Sequence, residues 1–198
     1  MVAIAARFEV HCATYPLPGV RDVTDVAMTI PVDGGLVAAI IDPIGQGLAA
    51  AALGREAAAA IRRSARLSIA EILTRVHQGA GETVGVSVAI ARLGHETAEF
   101  GGIGRGYGAV IGAERMAVFE SSPGRLGVGL PKPPLVHRLD WHPGEVFVLA
   151  ADGLVDAWDL AAARGRTELP MPALVQRLAG YAARLPEDAS IVVVRQGR

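Results

Sequence analysis

Residues 25–42 read DVAMTIPVDGGLVAAIID, two apolar segments joined by Asp33-Gly34 and closed at each end by an aspartate. An Asp-Gly pair between β-rich segments predicts a hairpin with a two-residue type I′ turn. If these two residues form the turn, the register pairs Asp25 with Asp42 across the open end. Two carboxylates this close repel unless a cation lies between them, which indicates a hard-cation site. The alternatives are a surface hairpin with solvated acidic ends, or a three-residue Asp-Gly-Gly loop that shifts the register.

The composition is that of one globular domain over residues 1–198. Hydrophobic residues make up 51% of the chain and aromatic residues 5%, so we expect a core built mainly from Ala, Val, Leu and Ile. The net charge of −1 argues against a surface for nucleic acid or anionic lipid. The single cysteine, Cys12, excludes an intrachain disulfide and fits a reducing compartment. Charges interrupt the N-terminal apolar segment and residues 48–61, so we expect a cytoplasmic protein without a membrane partner.

The predicted order of elements is a strand, the hairpin, two helices, a meander of short strands, further helices and a last strand. Ser68 and Glu71 form a capping box for the second helix, which is predicted to end at Val76 or His77. The other predicted helices cover 48–66, 154–163 and 172–185, and the other predicted strands cover 2–14, 83–93, 97–102, 107–111, 116–120, 135–139, 145–151 and 191–195. Helices grouped between antiparallel strands indicate an α+β fold.

Acidic residues stand at the ends of several predicted strands. Asp42 and Asp152 each follow a run of small or β-branched residues and precede Pro or Gly, while Glu187 and Asp188 precede the last strand. If these strands are neighbours, their carboxylates gather at one rim. Mg²⁺ and Mn²⁺ prefer oxygen ligands, and two such ions can activate a bridging water for attack on phosphorus. Zinc fits poorly, because the histidines show no paired ligand spacing.

Several segments carry a family resemblance in a fixed order. They are the hairpin and then IIDPIGQGLAAAA, TVGVSVAIARL, FGGIGRGYGAVI, SPGRLGVGL, HPGEVFVLAADGLVD and PEDASIVVVR. The sequence resembles the SpoIIE-like/RsbX-like branch of the metal-dependent type-2C protein phosphatases over nearly its whole length. The resemblance implies a four-layer αββα sandwich, in which two antiparallel β-sheets are flanked by helices.

The resemblance also implies the chemistry and the site residues. It implies hydrolysis of phosphoserine or phosphothreonine on a protein, with two Mn²⁺ or Mg²⁺ ions and a metal-bridging water as the nucleophile in place of a catalytic side chain. Asp25 and Asp42 would serve the metal pair, with Asp42 bridging. Pro43 would supply a backbone carbonyl, and Asp152 and Glu187 would complete one metal's ligands. The implied partner is a phosphorylated regulator, such as an anti-sigma antagonist or a stressosome-like protein, and no residue is assigned to substrate binding.

The chain departs from the family pattern close to these ligands. Thr24-Asp25 stands where the family has Gly-Asp, Asp42-Pro43 replaces Asp-Gly, Gly45-Gln46-Gly47 replaces Gly-His-Gly, and Glu187-Asp188 replaces Asp-Asp. Proline keeps its carbonyl but fixes φ. Glu187 is one methylene longer than aspartate, and Asp188 is an alternative ligand. Two other functions therefore stay open: a weak or inactive phosphatase-like regulatory binding module, and a hydrolase for a small phosphate ester.

Residues 104–109, GRGYGA, match a loose dinucleotide-binding pattern. Strands are predicted on both sides of it where a nucleotide site needs a helix, so we interpret Gly104–Gly106 as a turn. Arg105 in this turn is either solvated or in contact with a substrate phosphate, because a guanidinium binds phosphate bidentately.

Overall fold

A computed structural model describes residues 8–16, 24–81, 83–151, 154, 163–179 and 188–197 of the chain. Its strands are β1 (Phe8–Tyr15), β2 (Val26–Val32), β3 (Gly35–Pro43), β4 (Val86–Leu93), β5 (Thr97–Ile103), β6 (Gly106–Ile111), β7 (Met116–Glu120), β8 (Val136–Asp140), β9 (Val146–Ala151) and β10 (Ala189–Gln196). The helices are α1 (Gly47–Ser64), α2 (Ile69–Ala80) and α3 (Met171–Leu178). None of the helices in these ranges is long and apolar enough to cross a membrane.

The strands form two antiparallel five-stranded sheets. The first, which we call the hairpin sheet, has the order β2-β3-β4-β5-β8. The second, which we call the closing sheet, has the order β1-β10-β9-β6-β7. The chain passes from the hairpin sheet to the closing sheet through the short turn between β5 and β6 and again between β8 and β9.

The two sheets and the helices form four layers, which confirms the predicted αββα sandwich. Alternate residues of β3 point to opposite sides of the hairpin sheet. Val37 and Ile41 pack with the helices α1 and α2 on the outer side. Ala38 and Ile40 pack between the sheets with residues of β9 and β10. The helix α3 covers the outer side of the closing sheet through Leu174, Val175 and other apolar residues.

The hairpin register is confirmed, but the predicted turn type is wrong. Val32 pairs with Gly35, so Asp33 and Gly34 are the two turn residues. Gly34 has φ +79°, and no described residue other than glycine has a positive φ. A type I′ turn needs positive φ at both central residues, whereas negative then positive φ is the pattern of type II. Within this turn, Gly34 alone takes the left-handed conformation, and it does so without a steric penalty because glycine has no Cβ.

Sequence patterning also located α1, α2, the start of α3 and most strand ends. The capping box is present: the Ser68 hydroxyl accepts a hydrogen bond from the Glu71 N–H, and Glu71 accepts one from the Ser68 N–H. The helix α2 extends to Ala80, a turn beyond its predicted end. The predicted strand over 2–14 and helices over 154–163 and 172–185 lie partly outside the described residues.

Candidate metal-binding site

The open end of the hairpin brings Asp25 and Asp42 together. Val26 pairs with Ile41, so Asp25 lies opposite Asp42 one step further along the same register. Ala27 and Ile40 contact the core between the sheets, and alternation places both aspartates on that side as well. Asp25 is only 8% exposed, and Asp42 is half-buried. The register therefore leaves the two aspartates opposite each other just beyond the last pair of the ladder, while the role of the two carboxylates as metal ligands stays a prediction.

Two further residues continue this pair across the hairpin sheet. Asp42 pairs with Ser87 of β4, which is buried. Val88 pairs with Ile103, so the next residue in register with Ser87 is Gly104. A Cβ at Gly104 would lie 2.3 Å from Ser87 Oγ, which shows how closely the two backbones approach. We call Asp25, Asp42, Ser87 and Gly104 the rim row.

Ser87 and Gly104 were not identified as site residues from the sequence. The register that joins Ser87 to Asp42 forms between strands separated by the helices α1 and α2. No turn sequence sets that register, in contrast to the hairpin, where Asp33-Gly34 does so. The one sequence signal that points to this part of the site is the glycine pattern of the β5–β6 turn.

The closing sheet meets the hairpin sheet at the same end. A Cβ at Gly106 would lie 2.6 Å from the Cβ of Ala89, and Ala89 pairs with Ile40, two residues before Asp42. Gly106 pairs with Ala151, the last residue of β9. The end of β9 therefore lies over the hairpin sheet next to the rim row.

The remaining predicted ligands adjoin this end in the chain. Asp152 follows Ala151 directly, and Glu187 precedes Asp188 and the first residue of β10. Because Ile191 pairs with Ala150, the start of β10 and the end of β9 are at the same edge of the sandwich. Asp152 and Glu187 themselves lie outside the described residues, so their placement as ligands stays a prediction.

Pro43 occupies a position where its missing N–H does no harm to the sheet. It pairs with Val86, but Val86 exchanges both of its backbone hydrogen bonds with Leu126. The Pro43 carbonyl is therefore not taken up by the Val86 N–H. The ring packs under α1, where a Cβ at Gly54 would lie 2.9 Å from Pro43 Cγ and 3.0 Å from the Thr24 carbonyl oxygen. Thr24 and Pro43, two departures from the family pattern, are thus packed against one glycine.

The donor atoms of this end fit a hard divalent cation. The carboxylates of Asp25 and Asp42 and the carbonyl of Pro43 are oxygen donors, which Mg²⁺ and Mn²⁺ prefer. In the described ranges no cluster of three or more His, Cys, Asp or Glu side chains is present, so a full ligand set would need residues beyond these ranges. Three of the five histidines make other contacts: His77 accepts a hydrogen bond from the Gly127 N–H, and His95 and His137 stack on Phe8 and Phe100.

The Gly104–Gly106 segment is a turn, as predicted. β6 follows it as a strand, so the helix that a dinucleotide site requires is not present there. The turn is held by hydrogen bonds from the Gly104 N–H to Ser122 and from the Ser121 N–H to Gly106.

Comparison with known protein families gives one match that covers most of the chain. The family described as Stage II sporulation protein E (SpoIIE) matches residues 32–196. No curated protein sequence matches the chain.

Several solved structures share the fold. A structure reported with the bacterial stressosome is 24% identical with a TM-score of 0.85, and the match covers 96% of this chain and 100% of that one. RsbX in complex with magnesium is 16% identical with a TM-score of 0.85, and the match covers 96% of each chain. The PP2C phosphatase domain and regulatory fragment of SpoIIE from Bacillus subtilis are 15% identical with a TM-score of 0.79, and the match covers 96% of this chain and 62% of that one.

Proposed function

The chain belongs to the SpoIIE family and has the PP2C-type phosphatase fold, and from this premise we propose that it is a metal-dependent protein serine/threonine phosphatase. The observation that carries the proposal is the hairpin register, which ends at Val26–Ile41 and leaves Asp25 opposite Asp42 at the rim where β9 also ends. In this proposal Asp25, Asp42, the Pro43 carbonyl, Asp152 and Glu187 hold two Mn²⁺ or Mg²⁺ ions. The bound metal would supply a water of lowered pKa as the nucleophile and would neutralise charge on the phosphate.

The protein's own contribution to metal binding is the partial burial of its two carboxylates. Asp25 is buried and Asp42 half-buried, so water would screen their attraction for a bound cation less than at an exposed site. Such a pair binds a divalent cation more strongly than two solvated carboxylates would. No side chain is needed as a nucleophile, because the attacking oxygen comes from water.

The proposed substrate is a phosphorylated protein of a bacterial stress-response or sigma-factor regulatory system, for example an anti-sigma antagonist or a stressosome-like protein. This is supported by the similar structures, which are reported for the bacterial stressosome, for RsbX and for the RsbU and RsbW domains of a Mycobacterium tuberculosis protein. A single phosphatase domain over residues 1–198 in the cytoplasm is part of the same proposal.

The test is phosphate release from a phosphoserine peptide as the Mn²⁺ concentration is varied. We expect saturable, Mn²⁺-dependent release by the wild type and a loss of at least about 100-fold in Asp42→Asn and Asp152→Asn. The matched control is Asp33→Asn, which removes the same charge at the exposed turn of the same hairpin and should keep full activity. Faster hydrolysis of free metabolite phosphates than of any phosphoprotein would instead favour a small-molecule hydrolase.

The second candidate is a weak or inactive phosphatase-like module that binds a phosphorylated partner. It is favoured by the departures from the family pattern at Thr24 and Pro43, which directly adjoin Asp25 and Asp42 in the chain. Binding of the phosphopeptide without turnover at any Mn²⁺ concentration would support this candidate over the enzyme.

A further inference from the structure

Arg105 lies in the turn that connects the two sheets at the rim. β5 belongs to the hairpin sheet and β6 to the closing sheet, and Gly104–Gly106 is the connection between them. Arg105 is exposed, in contrast to the buried residues on either side of the turn. A long cationic side chain therefore starts from the point where the two sheets meet.

The residues next to Arg105 fix its position relative to the carboxylates. Gly104 is in register with Ser87, and Ser87 pairs with Asp42. Neighbouring strands are about 4.8 Å apart, so the Cα atoms of Gly104 and Asp42 are about 10 Å apart. On the other side, Gly106 pairs with Ala151, the residue before Asp152. Arg105 thus stands between the two strand ends that carry proposed metal ligands.

Gly104 and Gly106, on either side of Arg105, both lie so close to the hairpin sheet that a side chain would not fit. A Cβ at Gly104 would lie 2.3 Å from Ser87 Oγ, and one at Gly106 would lie 2.6 Å from the Ala89 Cβ. Backbone hydrogen bonds to Ser121 and Ser122 hold the other side of the turn. The starting point of the Arg105 side chain is therefore defined by packing on both sheets.

A cation at the rim would offset the repulsion between a phosphate group and the two carboxylates. A phosphate monoester is a dianion, and it must approach a rim row that carries two carboxylates. A guanidinium offers paired N–H donors that match two phosphate oxygens and stays protonated at any physiological pH. We propose that Arg105 binds the phosphoryl group of the phosphoprotein substrate. This inference rests on the proposed function, because it assigns the substrate contact of the same site.

The test compares metal binding and phosphate binding in the same variants. Calorimetry with Mg²⁺ alone, and then with inorganic phosphate and a phosphoserine peptide on the Mg²⁺-saturated protein, separates the two events. We expect Arg105→Ala to weaken binding of both phosphate ligands at least about tenfold and to leave Mg²⁺ affinity unchanged. The phosphate affinity of Arg105→Lys should fall between those of the wild type and Arg105→Ala, because lysine keeps the charge but loses the bidentate geometry. If the protein turns over substrate, KM should rise more than kcat falls.

The matched control is Arg66→Ala. Arg66 is exposed and lies 3.9 Å from Asp33, at the turn end of the hairpin and away from the rim. It should bind phosphate as the wild type does. Unchanged phosphate affinity in Arg105→Ala, a change in Mg²⁺ affinity in its place, or no phosphate binding by the wild type would each overturn the assignment. Loss of hydrolysis with intact phosphate binding would count against the proposed enzyme and not against Arg105.

Discussion

At the scale of single residues, Asp25 decides how much negative charge the rim holds before a metal arrives. It is buried, and the hairpin register leaves it opposite a second carboxylate. Two carboxylate charges at such a distance repel each other. We predict that Asp25→Asn lowers Mn²⁺ affinity at least about tenfold and raises the stability of the metal-free protein by about 1 kcal/mol. Calorimetry and urea denaturation in EDTA measure the two effects.

The two effects have opposite signs, which separates a ligand role from a structural one. A variant that loses metal affinity because it is misfolded would also lose stability without metal. Lower metal-free stability in Asp25→Asn would therefore contradict the account. Asp33→Asn, at the other end of the same hairpin, should change neither quantity.

At the scale of elements, the approach of α1 to the hairpin depends on Gly54. A Cβ there would lie 2.9 Å from Pro43 Cγ and 3.0 Å from the Thr24 carbonyl oxygen. We predict that Gly54→Ala lowers the free energy of unfolding by about 1–3 kcal/mol, because the helix must move away from the sheet. It should also weaken Mn²⁺ binding, since both contacts adjoin the paired aspartates. Urea denaturation and calorimetry measure these changes.

The helix α2 supplies the matched control. A Cβ at Gly79 would meet no atom within 4 Å, so Gly79→Ala should stabilise the protein by about 0.5–1 kcal/mol through helix propensity alone. Stabilisation by Gly54→Ala of the same size would show that the close approach of α1 to Pro43 has no energetic consequence.

At the scale of the whole molecule, the end of the sandwich away from the rim depends on an ion pair between the buried Glu145 and the exposed Arg115. Arg115 contacts both oxygens of Glu145, at 2.6 and 2.7 Å, and the His142 N–H donates to the same carboxylate. Burial alone would raise the pKa of Glu145, but Arg115 and the His142 N–H together hold that pKa below its ordinary value. The carboxylate therefore contributes stability above its unfolded pKa and loses that contribution as the pH falls through its folded pKa.

We predict that Glu145→Gln lowers the free energy of unfolding by about 1–3 kcal/mol at pH 7. The difference from the wild type should shrink as the pH falls from the ordinary value of 4.5 through the lower pKa of the folded protein, because the wild-type carboxyl becomes protonated over that range. Urea denaturation at pH 7 and at a pH below the folded pKa of Glu145 tests this. Glu99→Gln serves as the control, since its partner Arg138 is exposed and 3.7 Å away, and it should cost less than about 1 kcal/mol. A deficit for Glu145→Gln that is equal at both pH values would be inconsistent with the ion pair.

How much the sequence predicted depends on how locally each feature is determined. The hairpin register was predictable because Asp33-Gly34 lies between its two strands, and the capping box was predictable because Ser68 and Glu71 are three residues apart. The turn type was not, because it depends on whether Asp33 takes a positive φ. Ser87 and Gly54 reach the site only through the packing of β4 and α1, and no local pattern encodes that packing.

The central claim is that Asp25 and Asp42 hold a divalent metal ion between them. The most direct measurement is anomalous diffraction at the manganese edge from crystals of the full chain soaked in Mn²⁺. We predict a manganese peak between the two carboxylates, with Asp152 among its ligands, and no such peak in Asp42→Asn crystals. No peak at this position at saturating Mn²⁺, or an equal peak in Asp42→Asn, would contradict the account.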